Sequence, residues 1–347
     1  MRKNQTGISC LLGIVILVSV IDPVVGNIKV KTSVENNIEL EELTNITLKD
    51  DALHKTYTFF HVETWYFDAV FTNNYSMAFW ITLVQKGNIA IASIALNIYE
   101  DTNRYENRRK LNLFNQFSGS EEKPILKICN KTIVTGYIDE LTNRWIFNVS
   151  FSKDDQAVDL QYTSTSKGWK VNIKGGWWLV IPRFNVTGTI SLNNEKISVS
   201  GEGYHDHNWL YTYTPLLQKG WHFGRIVGDN LYVTWVKVMK TRFTGEIIAI
   251  LNKEMNDPEI INKDDFHLTI TEYMYNNRRF IPKNFNIEIK NNQLFADVKM
   301  ETINVHHYNL PFLNYWKYHL RTVGTISLDN ITEEIDNIQI SDLMKFF

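Results

Sequence analysis

The chain has 347 residues, of which 44% are hydrophobic, 21% charged and 13% aromatic. This composition is that of a folded protein and excludes a disordered one, and the formal net charge of -2 argues against a nucleic-acid partner. The length suggests two domains, and the aromatic content favours β-structure with a large apolar interior or pocket.

The first 26 residues have the pattern of an export signal. Two basic residues precede an apolar stretch at residues 8–21, which is short for a membrane span and is followed by Pro23. Small or modest residues come next, so a mature chain is predicted to start at Asn27. The alternative is an uncleaved anchor formed by residues 8–21. Both interpretations predict an exported protein, extracellular or in the cell envelope, and the second adds membrane association through the N-terminus.

The cysteine content sets a limit on covalent stabilisation. Cys10 lies inside the predicted signal, which leaves Cys129 as the cysteine of the mature chain. A chain with one cysteine forms no internal disulfide, so the fold must be stable through packing alone.

The body of the chain has the pattern of short strands. Residues 27–55 are polar and mixed, and we interpret them as a leader into the first domain. From Thr56 onward, aromatic and β-branched stretches alternate with turn sequences. The predicted strand pairs are 78–84 with 89–96, 131–139 with 144–151, 157–163 with 169–173, 186–191 with 196–201, 222–227 with 231–238, and 285–290 with 294–298. Residues 335–347 fit either a strand or a short helix. Because no earlier stretch has a sustained helical period, we predict an all-β protein of antiparallel barrels or sandwiches.

One polar run, residues 201–209, stands between apolar strand-like stretches. Polar groups held inside an apolar domain need hydrogen-bond partners and therefore mark a site or a structural bracket. Side chains alternate along a strand, which predicts one face with His205, His207 and Trp209 and another with Tyr204, Asp206 and Asn208.

Two functional hypotheses and a structural one fit this run. In the first, His207 or Asp206 donates a proton and Trp209 stabilises a cation through its ring. In the second, His205 and His207 bind zinc with His222, although no carboxylate or cysteine ligand is clearly placed. In the structural hypothesis, the run is a hydrogen-bonded bracket that joins two barrels.

A second candidate region is residues 63–68. Alternation places Glu63, Trp65 and Phe67 on one face and Thr64, Tyr66 and Asp68 on the other. Asp68 is a candidate acid if an apolar barrel raises its pKa. The structural alternative is that Glu63 and Asp68 pair with arginine or backbone groups and hold the strand in place.

These two regions resemble signatures of a known superfamily. Glu-Thr-Trp-Tyr-Phe-Asp at 63–68 is similar to the Glu-Trp-Trp-Tyr-Phe-Asp signature of the carotenoid hydratase (hydroxyneurosporene synthase) and AttH-like superfamily. Gly-Tyr-His-Asp-His-Asn-Trp at 203–209 is similar to its Gly-Tyr-x-Asp-His-Asn-Trp signature. Thr64 and Leu210 depart from the usual tryptophan and glycine, and Thr234 stands where the hydratases carry an aspartate two residues after a tyrosine, here Tyr232.

The resemblance implies two tandem lipocalin-like barrels, with domains at 56–208 and 209–347. It also implies a hydrophobic isoprenoid or lipid ligand, no metal and no cofactor. We expect a hydratase or cyclase that acts on a C=C bond by acid catalysis, and the alternative is a non-catalytic lipid carrier of the envelope. The candidate catalytic residues are Asp206, His207, Asp68 and His205, and the candidate ligand-binding residues are Tyr204, Asn208, Trp209, Trp65, Tyr66 and Tyr232.

Overall fold

The computed structural model describes residues 43–57, 60–105, 112–114, 116–173, 175–211, 218–241, 244–310 and 313–346, without the side chains of 112–114, 309 and 310. The predicted signal, the apolar stretch at 8–21 and leader residues 27–42 lie outside these ranges. Within them, no helix is long and apolar enough to cross a membrane.

The described residues form two antiparallel sheets. The first contains β1 Thr44–Asn45, β2 His61–Phe71, β3 Tyr75–Lys86, β4 Ile89–Glu100, β5 Asn103–Arg104, β6 Asn112–Phe114, β7 Phe117–Gly119, β8 Ile125–Ile128, β9 Lys131–Ile138, β10 Trp145–Lys153, β11 Gln156–Ser164, β12 Trp169–Ile173, β13 Gly176–Leu192 and β14 Glu195–Tyr211. The second contains β15 Gly220–Val227, β16 Leu231–Met239, β17 Gly245–Lys253, β18 Glu259–Ile260, β19 Phe266–Asn276, β20 Arg279–Lys290, β21 Leu294–Leu310, β22 Leu313–Leu328 and β23 Ile331–Phe346.

The strand order in each sheet follows mostly from hairpins. The first sheet runs β5-β4-β3-β2-β14-β13-β11-β10-β9-β8-β7, and the second runs β18-β17-β16-β15-β23-β22-β21-β20-β19. Two pairings join strands that are distant in sequence: β2 pairs with β14, the last strand of the first sheet, and β15 pairs with β23, the last strand of the second. The predicted all-β class and the tandem pair of curled antiparallel sheets are thereby confirmed.

Most predicted hairpins form as expected, because their turns contain residues that tolerate positive φ. Asn193 and Asn194, at φ 50° and 68°, join β13 to β14. The predicted pairing of 157–163 with 169–173 is wrong, since β11 and β12 both pair with β13. The register of β13 with β14 shifts between Ile181 and Phe184, around Pro182, which lacks a backbone N–H. The long β13 therefore pairs with one short strand on each side of this break.

The C-terminal segment and the described part of the leader both join sheets. The segment that fitted either a strand or a helix belongs to the 16-residue strand β23. Residues 43–54, which fall in the predicted leader, pack on the first sheet: β1 pairs with β12, and Asp51, Ala52 and Leu53 are buried.

Buried apolar side chains form three clusters. One fills the concave side of the first sheet around Trp65, Phe67 and Phe147, and a second fills that of the second sheet around Trp235 and Phe285. The third lies between the sheets and includes residues of both, among them Tyr66, Trp178, Tyr204 and Phe223. The sheets are thus packed against each other, and β2 and β14 separate the first interior from the interface.

Candidate functional site

The two polar signatures lie side by side on β2 and β14. The antiparallel register pairs Asp68 with Tyr204, Tyr66 with Asp206, and Trp65 with His207. The predicted alternation is confirmed: Glu63, Trp65, His205 and His207 face the interior of the first sheet, whereas Tyr66, Asp68, Tyr204, Asp206 and Asn208 face the second sheet. The signatures therefore build two separate polar clusters, one on each face.

The interior bracket consists of Asp51, Glu63, His205 and His207, with His54 at its edge. His207 Nε2 lies 3.0 Å from Glu63 Oε1, and its Nδ1 lies 3.0 Å from Asp51 Oδ1. His205 donates from Nδ1 to the Tyr66 carbonyl at 2.9 Å and contacts Asp51 through Nε2 at 3.1 Å. Apart from His54, these side chains have no exposure to solvent. Two imidazoles and two carboxylates are thus in direct contact at this buried position.

The protonation state of His207 decides whether this bracket is suited to bind a metal ion or to form ion pairs. Burial lowers its pKa, but Asp51 and Glu63 outweigh burial and leave the pKa raised. One nitrogen each of His54 and His207 and a Glu63 oxygen lie within 4.8 Å of one another, a spacing that a metal ion can bridge. A protonated imidazole between two carboxylates has no lone pair to offer, however. The geometry is therefore that of an ion-pair bracket, which ties Asp51 of the leader to β2 and β14.

The bracket predicts a defined pH dependence of stability. Burial raises and the histidines lower the pKa of Glu63, with a net lowering, so its contribution is present above its unfolded value of 4.5 and is lost as pH falls through the folded value. The contribution of His207 is fully present below 6.5 and is lost as pH rises through its raised folded value. We expect Glu63→Gln to lower the free energy of unfolding and to weaken the decline above pH 6.5. Urea unfolding from pH 5 to 9 measures both.

A matched control for this prediction is Glu288→Gln, which removes an exposed carboxylate from β20. It should leave the pH dependence of unfolding unchanged. Identical pH slopes for wild type and Glu63→Gln would contradict the bracket.

The inter-sheet cluster consists of Tyr66, Asp68, Tyr204 and Asp206 from the first sheet and Arg225, Lys317 and Asp342 from the second. Arg225 Nη2 donates to both oxygens of Asp68, at 3.0 and 3.1 Å, and Tyr66 donates to Asp68 at 3.1 Å. Burial raises the pKa of Asp68 and Arg225 opposes this rise. Because every donor that reaches this carboxyl group is best accepted by its ionised form, we assign Asp68 as the counter-ion of Arg225.

The second cation of the cluster is Lys317, whose side chain is fully buried. Its Nζ donates to Tyr66 Oη at 2.7 Å and to Asp342 Oδ1 at 2.8 Å. The same Nζ lies 4.4 Å from the centre of the Tyr66 ring, and Arg225 lies 4.5 Å from the centre of the Tyr204 ring. The aromatic faces at this interface thus already stabilise positive charge.

Asp206 differs from the other carboxyl groups because its direct partners are neutral. Tyr204 donates to one oxygen at 2.9 Å and the Asn208 amide donates to the other at 2.8 Å. Burial raises the pKa of Asp206 to about 7, and the charge of Asp342 adds to the rise. Asp68 and Asp342 already balance Arg225 and Lys317, so a third ionised carboxylate would be unpaired. Asp206 is therefore poised to carry a proton near neutral pH.

Partly exposed side chains lie on one side of Asp206. The next row of the sheet places Thr82, Thr64 and Asn208 beside one another, and all three are half-buried. Trp80, also half-buried, lies beside Tyr66 on β3. A separate cavity of about 430 Å³ lies at one end of the second sheet, lined by residues such as Lys253, Asp257 and Glu259 rather than by the cluster.

The other predicted site residues lie elsewhere. Trp65 stacks on His207 inside the first sheet, with ring centres 4.3 Å apart, and half-buried Trp209 stacks on His61. Tyr232 accepts from Arg183 at 2.7 Å and donates to the Asp229 carbonyl, with no contact to Asp206. His222 packs against Trp235 and Phe285 inside the second sheet, so it does not join His205 and His207 as the zinc hypothesis required.

Sequence reasoning missed the three residues that complete the inter-sheet cluster: Arg225, Lys317 and Asp342. Lys317 stands in a Tyr-Trp-Lys-Tyr run near the C-terminus, where alternation predicts one inward and one outward face. Nothing local shows which face meets the first sheet, because that depends on the packing of the two sheets.

Known proteins resemble this one in structure but not in overall sequence. The sequence matches no model of a known protein family, and it matches no curated protein. The structure is similar to that of a candidate AttH protein from Nitrosomonas europaea, with a TM-score of 0.61 and 10% identity over 87% of this chain and 97% of the other. It is also similar to kievitone hydratase from Nectria haematococca, with a TM-score of 0.53 and 10% identity over 91% and 96% of the two chains. The chain therefore shares the fold of these two structures, and the predicted architecture of two tandem lipocalin-like barrels is confirmed.

Proposed function

We propose that this protein is a hydratase or cyclase that protonates a C=C bond of a hydrophobic small molecule at the inter-sheet cluster. The observation that carries the proposal is the environment of Asp206: a buried carboxyl group with neutral donors on both oxygens and a pKa raised to about 7 by burial. A carboxylic acid of this kind is a general acid that is matched to neutral pH.

The proposed reaction needs no proton donor or acceptor other than Asp206. The π electrons of the alkene form a C–H bond with the Asp206 proton, which leaves a carbocation on the substrate and a carboxylate on Asp206. Water then forms a C–O bond with the cation and returns a proton to Asp206. In a cyclisation, a second double bond attacks the cation and a neighbouring C–H supplies the returned proton. The acid is regenerated in both cases.

The surroundings suit the charge that develops. The rings of Tyr66 and Tyr204 flank Asp206 on the neighbouring strand and on its own strand, and each already has a cation over its face. A carbocation close to such a ring is stabilised in the same way. Arg225 and Lys317 are fixed by their own carboxylates, so they do not supply the proton.

We further propose that the substrate is an isoprenoid or similar lipid. An apolar, aromatic interface favours a long hydrocarbon chain, since burial contributes roughly 25 cal/mol per Å² of apolar surface. Thr64, half-buried beside Asn208, is smaller than the tryptophan of the related signature and leaves more room for a ligand near Asp206. We place the activity outside the cytoplasm, because residues 1–26 have the pattern of an export signal. The name of kievitone hydratase supports water addition as the reaction class, not this particular substrate.

The alternative is a lipid-binding protein without chemistry, and the same experiment separates the two. The protein is incubated with a panel of prenylated phenols, linear isoprenoids and unsaturated fatty acids in H₂¹⁸O, and products are analysed by mass spectrometry. Hydration adds one labelled water, cyclisation changes retention at constant mass, and binding leaves the ligand unchanged. Unchanged recovery of every compound that binds would overturn the proposed reaction.

The pH dependence of turnover is a further prediction. Asp206 is active in its acid form, so kcat/KM should be constant below pH 7 and fall about tenfold per unit above it. The titratable and charged groups around it are His205 on its own strand, Asp342 and Lys317 from the second sheet, and Arg225 beyond Tyr204. Initial rates from pH 5 to 9 measure the profile. A rate that rises with pH through neutrality would assign a base to the step.

A further inference from the structure

Three of the six large aromatic side chains that are exposed among the described residues lie on one hairpin. Tyr273, Tyr275 and Phe280 are 57%, 65% and 69% exposed. Tyr275 pairs directly with Phe280 across β19 and β20, with ring centres 5.2 Å apart, and Tyr273 is two residues away on the same face. Most exposed apolar side chains of folded proteins stand singly, so a contiguous group of three large rings indicates a binding surface.

The turn of this hairpin contains an arginine whose backbone has a positive φ. Asn277 and Arg278, at φ 47° and 63°, form its two-residue loop between Asn276 and Arg279. Such a turn favours glycine at its second position, because a side chain with positive φ is strained. Arg278 is exposed at that position. The turn therefore presents an exposed cationic side chain at the tip of the hairpin, beside the aromatic rings.

Most of the charged side chains described around the aromatic group are positive. Arg278 and Arg279 occupy the turn, and Lys345 contacts the Phe280 carbonyl at 3.4 Å. The nearby acid, Glu272, is paired with Lys283 at 2.8 Å. Tyrosine and phenylalanine rings beside arginines match the boundary of an anionic bilayer, where rings enter the headgroup layer and cations meet phosphate.

We propose that the tip of the β19–β20 hairpin docks the protein on an anionic membrane surface. The three rings insert at the headgroup level and exposed Arg278 binds lipid phosphate. This surface is separate from Asp206, so it can be tested independently of the proposed reaction.

The test is co-sedimentation of the full chain with vesicles of phosphatidylcholine, with and without phosphatidylserine. Tyr275→Ser combined with Phe280→Ser should weaken partition by more than about tenfold, and Arg278→Ser should weaken it about fivefold on anionic vesicles alone. The matched control is Tyr137→Ser with Leu141→Ser, which removes two exposed apolar side chains from the first sheet. Equal partition of both double variants would overturn the proposal.

A second measurement does not depend on total affinity, to which an uncleaved anchor at residues 8–21 would contribute equally in every variant. Phe280→Trp should gain fluorescence quenching by brominated lipid relative to wild type, whereas Tyr137→Trp should not. Equal quenching in both variants would overturn the proposal. Dimerisation of wild type that Phe280→Ser abolishes, without lipid quenching, would assign the surface to a second copy of the chain instead.

Discussion

Replacing Asp206 by asparagine should abolish turnover while the protein stays folded. The amide fits the same volume and can still accept from Tyr204, but it has no proton to give at neutral pH. A general acid contributes about 100- to 10,000-fold to rate, so kcat/KM should fall by at least about 100-fold. Binding of the substrate should remain within a few-fold, because the aromatic surroundings are unchanged.

Two further variants make this result specific. Asp159→Asn, an exposed position on β11, is the matched control and should keep full activity. Asn208→Ala removes one of the two donors to Asp206, and we expect it to shift the pH profile rather than to abolish turnover. If Asp206→Asn retained full activity and its fold, the proton would have to come from elsewhere in the cluster, and the proposed role of Asp206 would be wrong.

Loss of Arg225 should have the largest effect on stability. Its guanidinium group is buried against Asp68 and lies over the ring of Tyr204. Arg225→Met leaves the Asp68 carboxylate buried without its counter-ion, for which the expected cost is about 3–5 kcal/mol. We expect the urea midpoint to fall accordingly at pH 7. Because the pair bridges β2 and β15, the variant should also loosen the packing of the two sheets.

The double variant separates the cost of an unpaired charge from the value of the pair. Asp68→Asn with Arg225→Met removes both charges, and it should be more stable than Arg225→Met alone. The control is Arg321→Met, which breaks an exposed pair with Asp336 and should leave the free energy of unfolding unchanged. A double variant that is less stable than Arg225→Met alone would contradict the prediction, because the loss would then come from the contacts of each side chain and not from the unpaired Asp68 charge.

The hairpins of this protein follow from local rules. Asn193-Asn194 and Gly87 mark turns because these residues tolerate positive φ, and the flanking strands follow from their aromatic and β-branched residues. The partner of β11 and β12 cannot be predicted from such local rules. Both strands pair with a 17-residue strand whose register shifts around a proline, and that arrangement depends on partners distant in sequence.

In the candidate site, too, some features follow from local sequence rules and others depend on residues distant in sequence. Alternation along β2 and β14 determined which side chains share a face, because a strand has a period of two, and it places His207 and Asp206 on opposite faces. Alternation does not reveal what each face meets. That His207 lies between Asp51 and Glu63 while Asp206 has only neutral direct partners depends on where residues 43–54 and the second sheet pack. The sequence by itself determined the strands and their faces, and tertiary packing alone decided burial and charge pairing, which set the pKa values on which the proposed chemistry depends.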